Sequence, residues 1–204
     1  MKDTTIFDNC PVYKSGHFKL RLVEQEDAEN LHQCYSDPSA VRLMNSDNCS
    51  CDFYFKTLNE MTEMIRGWIG AYESRWGAYE GGACIRFSII DTQNNTAVGT
   101  IEMFDKTKDI GILRLDLCSA YEKQDYLIEL IELATEKFHN AFGVKQILTK
   151  AIAEAAVRIY ALQACGYNST VIPRGDIWWT WIDGKKVRDR KLMPYGDYYV
   201  HDGC

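Results

Sequence analysis

Two carboxylates stand where chemistry is plausible. Glu102 lies in the otherwise apolar stretch Ala97–Phe104 (AVGTIEMF). Burial there would raise its pKa and suit it to take a proton near neutral pH. The same residue can equally stand on a solvated sheet face and do no chemistry. Asp116, near the end of Ile110–Leu117 (IGILRLDL), is the second candidate base. Ser119 follows, and its hydroxyl can donate to a developing negative charge or simply cap a helix. Cys118 offers a thiol, but no histidine lies in a pairing context. His139 reads as helix surface, and His17, His32 and His201 form no constellation. Covalent catalysis is therefore disfavoured.

A metal centre is disfavoured too. Cys49-Ser-Cys51 is the only close pair among the 8 cysteines, and one intervening residue is poor zinc spacing. The opening MKDTTIFDNC holds no apolar run, so no signal peptide is expected, and the cysteines are expected as reduced thiols. Cys84, Cys118 and Cys165 sit in apolar contexts, as small core residues do. No stretch approaches the roughly 20 apolar residues that span a bilayer. These features point to a cytoplasmic protein with no membrane partner. The net charge of −6 argues against nucleic acid, which needs a basic face. It is compatible with a cationic or amine-bearing substrate, although solubility alone explains it. At 204 residues the chain is read as one domain, 1–204.

The elements that must position these residues follow from hydrophobic period. Phe18–Val23 alternates as a half-buried strand. The run 24–37 reads as a helix with Ala28, Leu31, Cys34 and Tyr35 on one side. Thr57-Leu58-Asn59-Glu60 is a capping box. Behind it Met61, Ile65, Trp68, Tyr72 and Trp76 recur at helical spacing. The period then drops to two across 84–91, 97–104 and 110–117, a meander of strands. A long helix is expected over Glu122–Phe142, with Leu127, Leu130, Ile131, Ala134, Phe138, Ala141 and Phe142 inward, and Gly143 stops it. A strand at Val144–Lys150 and a helix at Ile152–Cys165 follow. Ile177–Ile182 and Lys186–Leu192 flank Asp183-Gly184, a hairpin signal. The fold class is therefore α/β (mixed α+β): a central twisted mixed sheet of about seven strands with helices on both faces. Trp178, Trp179 and Trp181 can cap the sheet core, line a substrate cleft or form a homodimer face.

This order resembles the GNAT superfamily, in particular its ribosomal-protein N-terminal acetyltransferases. The likeness is carried by FKLRLVEQEDAENLHQCYSDP, by Val98-Gly99-Thr100-Ile101-Glu102, and by the strand-helix unit Val144–Tyr167 ending in Gly166-Tyr167. The resemblance implies an acetyl-CoA-dependent N-acetyltransferase acting on a small-molecule or peptide amine. It places the thioester carrier where strands 110–117 and 144–149 splay apart. Pantetheine would run along Leu115, Leu117 and Cys118 as an added strand. The pyrophosphate would sit on the helix opening at Lys123, Gln124, Asp125, Tyr126 and Leu127. Arg158 joins this cofactor-binding set. The amine attacks the thioester directly, with Glu102 or Asp116 as base, Ser119 as a donor, and amides near Leu117 around the oxyanion.

The chain departs from the family at the phosphate loop. Glu122 stands at the Arg or Gln position, Asp125 replaces the first Gly, and Leu127 the second small residue. Carboxylates repel a dianion, and Leu127 blocks close backbone approach. Lys123 and the helix dipole offset part of this. Leu162 stands where many members have a catalytic Tyr, and Tyr160 faces another side. Ala155 and Arg158 replace an Asn and a Ser. The alternative reading is a GNAT-fold binding or regulatory protein that has lost CoA binding.

Overall fold

The computed structural model describes residues 6–44, 57–74, 85–104, 109–170, 180–182, 185–187 and 197–203. Trp76, Trp178, Trp179, the Asp183-Gly184 turn, Cys49, Cys51, Cys84 and Cys204 lie outside them.

The strands are β1 (Tyr13–Lys14), β2 (Phe18–Leu22), β3 (Ile85–Asp91), β4 (Thr96–Phe104), β5 (Ile110–Leu117), β6 (Gln146–Ala151), β7 (Asn168–Thr170), β8 (Thr180–Ile182), β9 (Lys185–Val187) and β10 (Asp197–Asp202). The helices are α1 (Ala28–Ser36), α2 (Pro38–Met44), α3 (Leu58–Glu73), α4 (Gln124–Phe142) and α5 (Ala156–Ala164). Among the described residues one sheet of eight strands runs β1-β2-β3-β4-β5-β6-β10-β7, and β8 pairs with β9. Neighbours in the large sheet are antiparallel except β5 and β6. The expected mixed sheet with helices on both faces is present. The expected terminal hairpin forms its own small sheet. Strands β1, β7 and β10, which the sequence reading omits, join the large one. β1 and β7 have only two and three residues, and β10, though six residues long, carries no alternation of apolar and polar residues; pairing partners define all three as strands.

Alternation sorts the sheet into two faces. On one, Phe18, Phe87, Ile101 and Leu115 pack under Leu127, Leu130, Ile131 and Phe138 of α4. The other lies beneath α1, α2 and α3, where Leu31, Tyr35, Met44, Met61 and Ile65 cluster. The capping box forms as read: the Glu60 amide donates to Thr57 Oγ1 (3.2 Å), and the Thr57 amide donates to Glu60 Oε2 (3.0 Å). Gly143 caps α4 with φ 62°, in the left-handed region that glycine adopts without cost.

Gly99 explains part of the Val98-Gly99-Thr100 passage. A Cβ there would lie 2.2 Å from the Asp116 carbonyl oxygen, so β4 and β5 can approach this closely only over glycine. Beside this contact, Cys34 of α1 and Cys118, just after β5, form a disulfide with Cα atoms 4.7 Å apart and a sequence separation of 84. The expectation of reduced thiols fails for this pair: α1 crosses the end of β5 and brings two small core side chains together. Cys10 and Cys165 are free thiols, and burial pushes both up to about 11. Among the described residues no helix is long and apolar enough to cross a membrane.

Candidate functional site

The parallel pair β5–β6 is the centre of the site. Its register runs Ile110↔Gln146, Gly111↔Ile147 and Ile112↔Leu148, and then stops. β5 continues to Leu117 and β6 to Ala151, so the strands part past Ile112. The other edge of β5 stays paired with β4 from Phe104↔Ile112 through Gly99↔Leu117. The parallel register with β6 therefore does not extend along Leu113–Leu117, which are buried, and the fork between the two strands is a place where an extended chain could add as a strand if its filling side chains moved.

Two buried side chains fill that fork. Arg158 of α5 is buried and donates from Nη1 to the Leu115 carbonyl (2.8 Å). Its Nη2 pairs with Glu122, whose side chain is also buried. Glu122 belongs to the loop between β5 and α4, where a short 3-10 turn covers Ser119–Tyr121. The helix expected from Glu122 begins at Gln124, with Lys123 as its N-cap. Lys123 Nζ lies 5.2 Å from the centre of the Tyr126 ring. Leu127 is fully buried in the core under α4. It anchors the helix, and its side chain points away from any phosphate.

Ser119 is not a helix cap. Its hydroxyl donates to Asp37, at the end of α1, and this bond holds the Asp37 carboxyl below its usual range. Tyr121 donates to Asp91 Oδ2 (2.7 Å). Burial and that carboxylate raise the Tyr121 phenol to about 12.

The two candidate bases lie on the other face of the sheet, in a buried row of charge. Register sets Arg86 opposite Glu102, and Glu102 opposite Arg114. Arg86 and Glu102 form an ion pair, and the Arg86 guanidinium stacks 4.0 Å from the Trp68 ring centre. One register step away, Asp116 Oδ2 accepts from Tyr35 Oη (2.6 Å), Arg114 Nε (2.8 Å) and Arg86 Nη1 (3.4 Å). Asp116 is fully buried and Glu102 is 5% exposed, so the solvated-face alternative for Glu102 is excluded. Burial and Asp116 push the Tyr35 phenol well above its ordinary value, which fixes it as a donor. Burial opposes the charge on Arg86, but Glu102 and its neighbours outweigh that and keep it a cation.

The site set thus divides. Leu115 and Leu117 lie on β5, with Arg158 bonded to the Leu115 carbonyl. Cys118 is bonded to Cys34 of α1. Lys123, Gln124 and Asp125 open α4, and Tyr126 packs against His17, Phe18 and Tyr121 rather than at β5. Glu102 and Asp116 lie on the α1–α3 side. The sequence reading missed Arg86, Arg114 and Tyr35. The available signal was opposite charge at facing positions on neighbouring strands.

The histidine reading also changes. His139 is not plain helix surface: it bonds the Val144 carbonyl (2.9 Å) and His201 Nδ1 (3.0 Å). His201 lies on the unexpected strand β10, so the pairing was invisible from the sequence. Burial and His139 lower the His201 pKa. Among the described residues no group of three or more His, Cys, Asp or Glu is placed to hold a metal ion.

Residues 17–168 match the acetyltransferase (GNAT) domain, and the chain belongs to that family. No curated protein matches. Solved structures agree at the level of fold. A GNAT-family acetyltransferase from Bacillus anthracis superposes with a TM-score of 0.65 at 15% identity, covering 94% of this chain and 98% of that one. The ribosomal-protein-S5-alanine acetyltransferase from Vibrio fischeri gives 0.61 at 13% identity, covering 93% and 94%. RimL, a ribosomal L7/L12 alpha-N-protein acetyltransferase solved with coenzyme A, gives 0.64 at 9% identity, covering 94% and 98%.

Against an acyl-CoA, the residues present fit in part. The parting of β5 from β6 suits an extended chain. Glu122 and Asp125 do not suit a diphosphate, and Arg158 already uses the Leu115 carbonyl.

Proposed function

We propose that the chain is an acetyl-CoA-dependent N-acetyltransferase acting on a primary amine of a small molecule or peptide. The observation that carries this reading is the parting of β5 from β6 past Ile112 and Leu148, in a chain of this family. A structural neighbour that binds coenzyme A, RimL, supports it by analogy of fold.

When bound, acetyl-CoA supplies the acyl thioester. The chain's own part is to hold that chain along Leu113–Leu117 and to place a proton acceptor. Of the two carboxylates, Glu102 is the better acceptor. Asp116 is fully buried and its Oδ2 accepts from three donors, whereas Glu102 is 5% exposed and pairs with Arg86. Ser119 is engaged with Asp37 and serves here to fix the loop.

Calorimetric titration with acetyl-CoA, paired with a thiol-release assay over amines and peptide N-termini, tests this reading. Binding and amine-dependent thiol release support it. Absence of both ends it. Glu102→Gln should slow turnover by about 100-fold and leave acetyl-CoA affinity unchanged; an unaltered rate removes Glu102 as base.

One observation favours a second reading, a GNAT-fold protein that no longer takes CoA. The buried Arg158–Glu122 pair covers both the β5 edge and the loop where the pyrophosphate would lie. The same titration separates the two.

A further inference from the structure

We propose that Arg158 and Glu122 form a displaceable latch across the cofactor cleft, which acetyl-CoA opens by competition. The inference rests on the acetyl-CoA reading above and concerns the regulation of that site.

The pair closes the cleft at both places a carrier would use. Arg158 Nη1 takes the carbonyl of Leu115 (2.8 Å). A chain added beside β5 needs that acceptor for its own amide. Glu122 places a carboxylate in the loop leading into α4, near the helix N-terminus that favours an anion. The carboxylate thus stands in for the incoming anion, and the guanidinium stands in for the incoming amide. Both side chains are buried, at 3% and 9% exposure, so solvent does little to weaken their attraction.

The latch also sits on elements able to release it. Arg158 projects from α5 and Glu122 from a short connecting loop, so turning two side chains exposes the edge while the β4–β5 pairing stays intact. Breaking a buried ion pair costs binding energy, so the closed latch weakens carrier affinity. Neutralising Glu122 lowers that cost and removes repulsion from the diphosphate.

The test is calorimetric titration of the full chain with acetyl-CoA, for the wild type, for Glu122→Gln, and for the paired change Arg158→Met with Glu122→Leu. The paired change replaces buried charge with apolar volume, and so guards against misfolding from a lone buried cation. Glu122→Gln should tighten acetyl-CoA binding by about tenfold or more. The paired variant should tighten binding of S-acetylpantetheine, which lacks the diphosphate and reports on the Leu115 carbonyl alone. Binding by the variants with none detectable in the wild type also supports the latch, in its tightest form. Measurable wild-type binding that neither variant improves overturns the latch and leaves the transferase reading standing. No binding by any of the three proteins overturns both.

Discussion

Charge is buried in two regions of this molecule, and the two bury it differently. Beneath α1 and α3, Arg86, Glu102 and Arg114 face one another across three paired strands, with Asp116 and Tyr35 in contact. At the cleft, Arg158 and Glu122 meet from a helix and a loop. The first arrangement is fixed by sheet register and can be undone only by dismantling the sheet. The second opens by side-chain rotation. The contrast teaches that the elements carrying buried charge decide whether a ligand can displace it.

The largest test of that contrast is Arg86→Ala. It removes the ion pair to Glu102 and a donor to Asp116, and should cost about 3–5 kcal/mol in urea unfolding. A loss below about 1 kcal/mol would show that the row is not structural. Next, removing the Cys34–Cys118 crosslink by paired Ser substitution should cost about 2–4 kcal/mol. A melting temperature unmoved by reductant would break that assignment. Tyr35→Phe removes a donor to a buried carboxylate and should cost about 1.5–3 kcal/mol. By contrast, Arg158→Met with Glu122→Leu should change stability by less than about 1 kcal/mol, or raise it. A loss as large as that of Arg86→Ala would erase the distinction between the two regions.

The smallest effect concerns pH. The His201 pKa is lowered in the folded chain, so the unfolded chain binds the proton more readily. The contribution is complete above the unfolded value near 6.5 and declines as pH falls below it, and solvent screening of this partly exposed ring keeps it small. His201→Asn should flatten this part of the stability profile; an unchanged slope would assign it elsewhere.

Much of the fold was legible in the sequence because hydrophobic period reports which residues face a core. The meander, the capping box and the α4 stripe follow from such local signals. The three-residue β7 and the six-residue β10 do not, since pairing across the chain defines them. The site was legible only in part. The loop's acidity marked Glu122 as out of place, but its partner Arg158 lies 36 residues away. The Arg86–Glu102–Arg114 row needed strand register, which alternation alone does not supply. His139 was misread because its partner stands on a strand that was not expected.

The Cys34–Cys118 crosslink has a bearing on how the cleft can widen. One lip, β5, is stapled to α1 at its far end and hydrogen-bonded to β4 along its length. The opposite lip carries no such staple among the described residues. The crosslink therefore makes the β5 wall the fixed jamb, and with β6 held by its pairing to β10, breathing of this mouth is expected to fall more on the α5 wall. Exchange of backbone amides should accordingly be faster in α5 than in the end of β5, and reduction of the crosslink should narrow that difference.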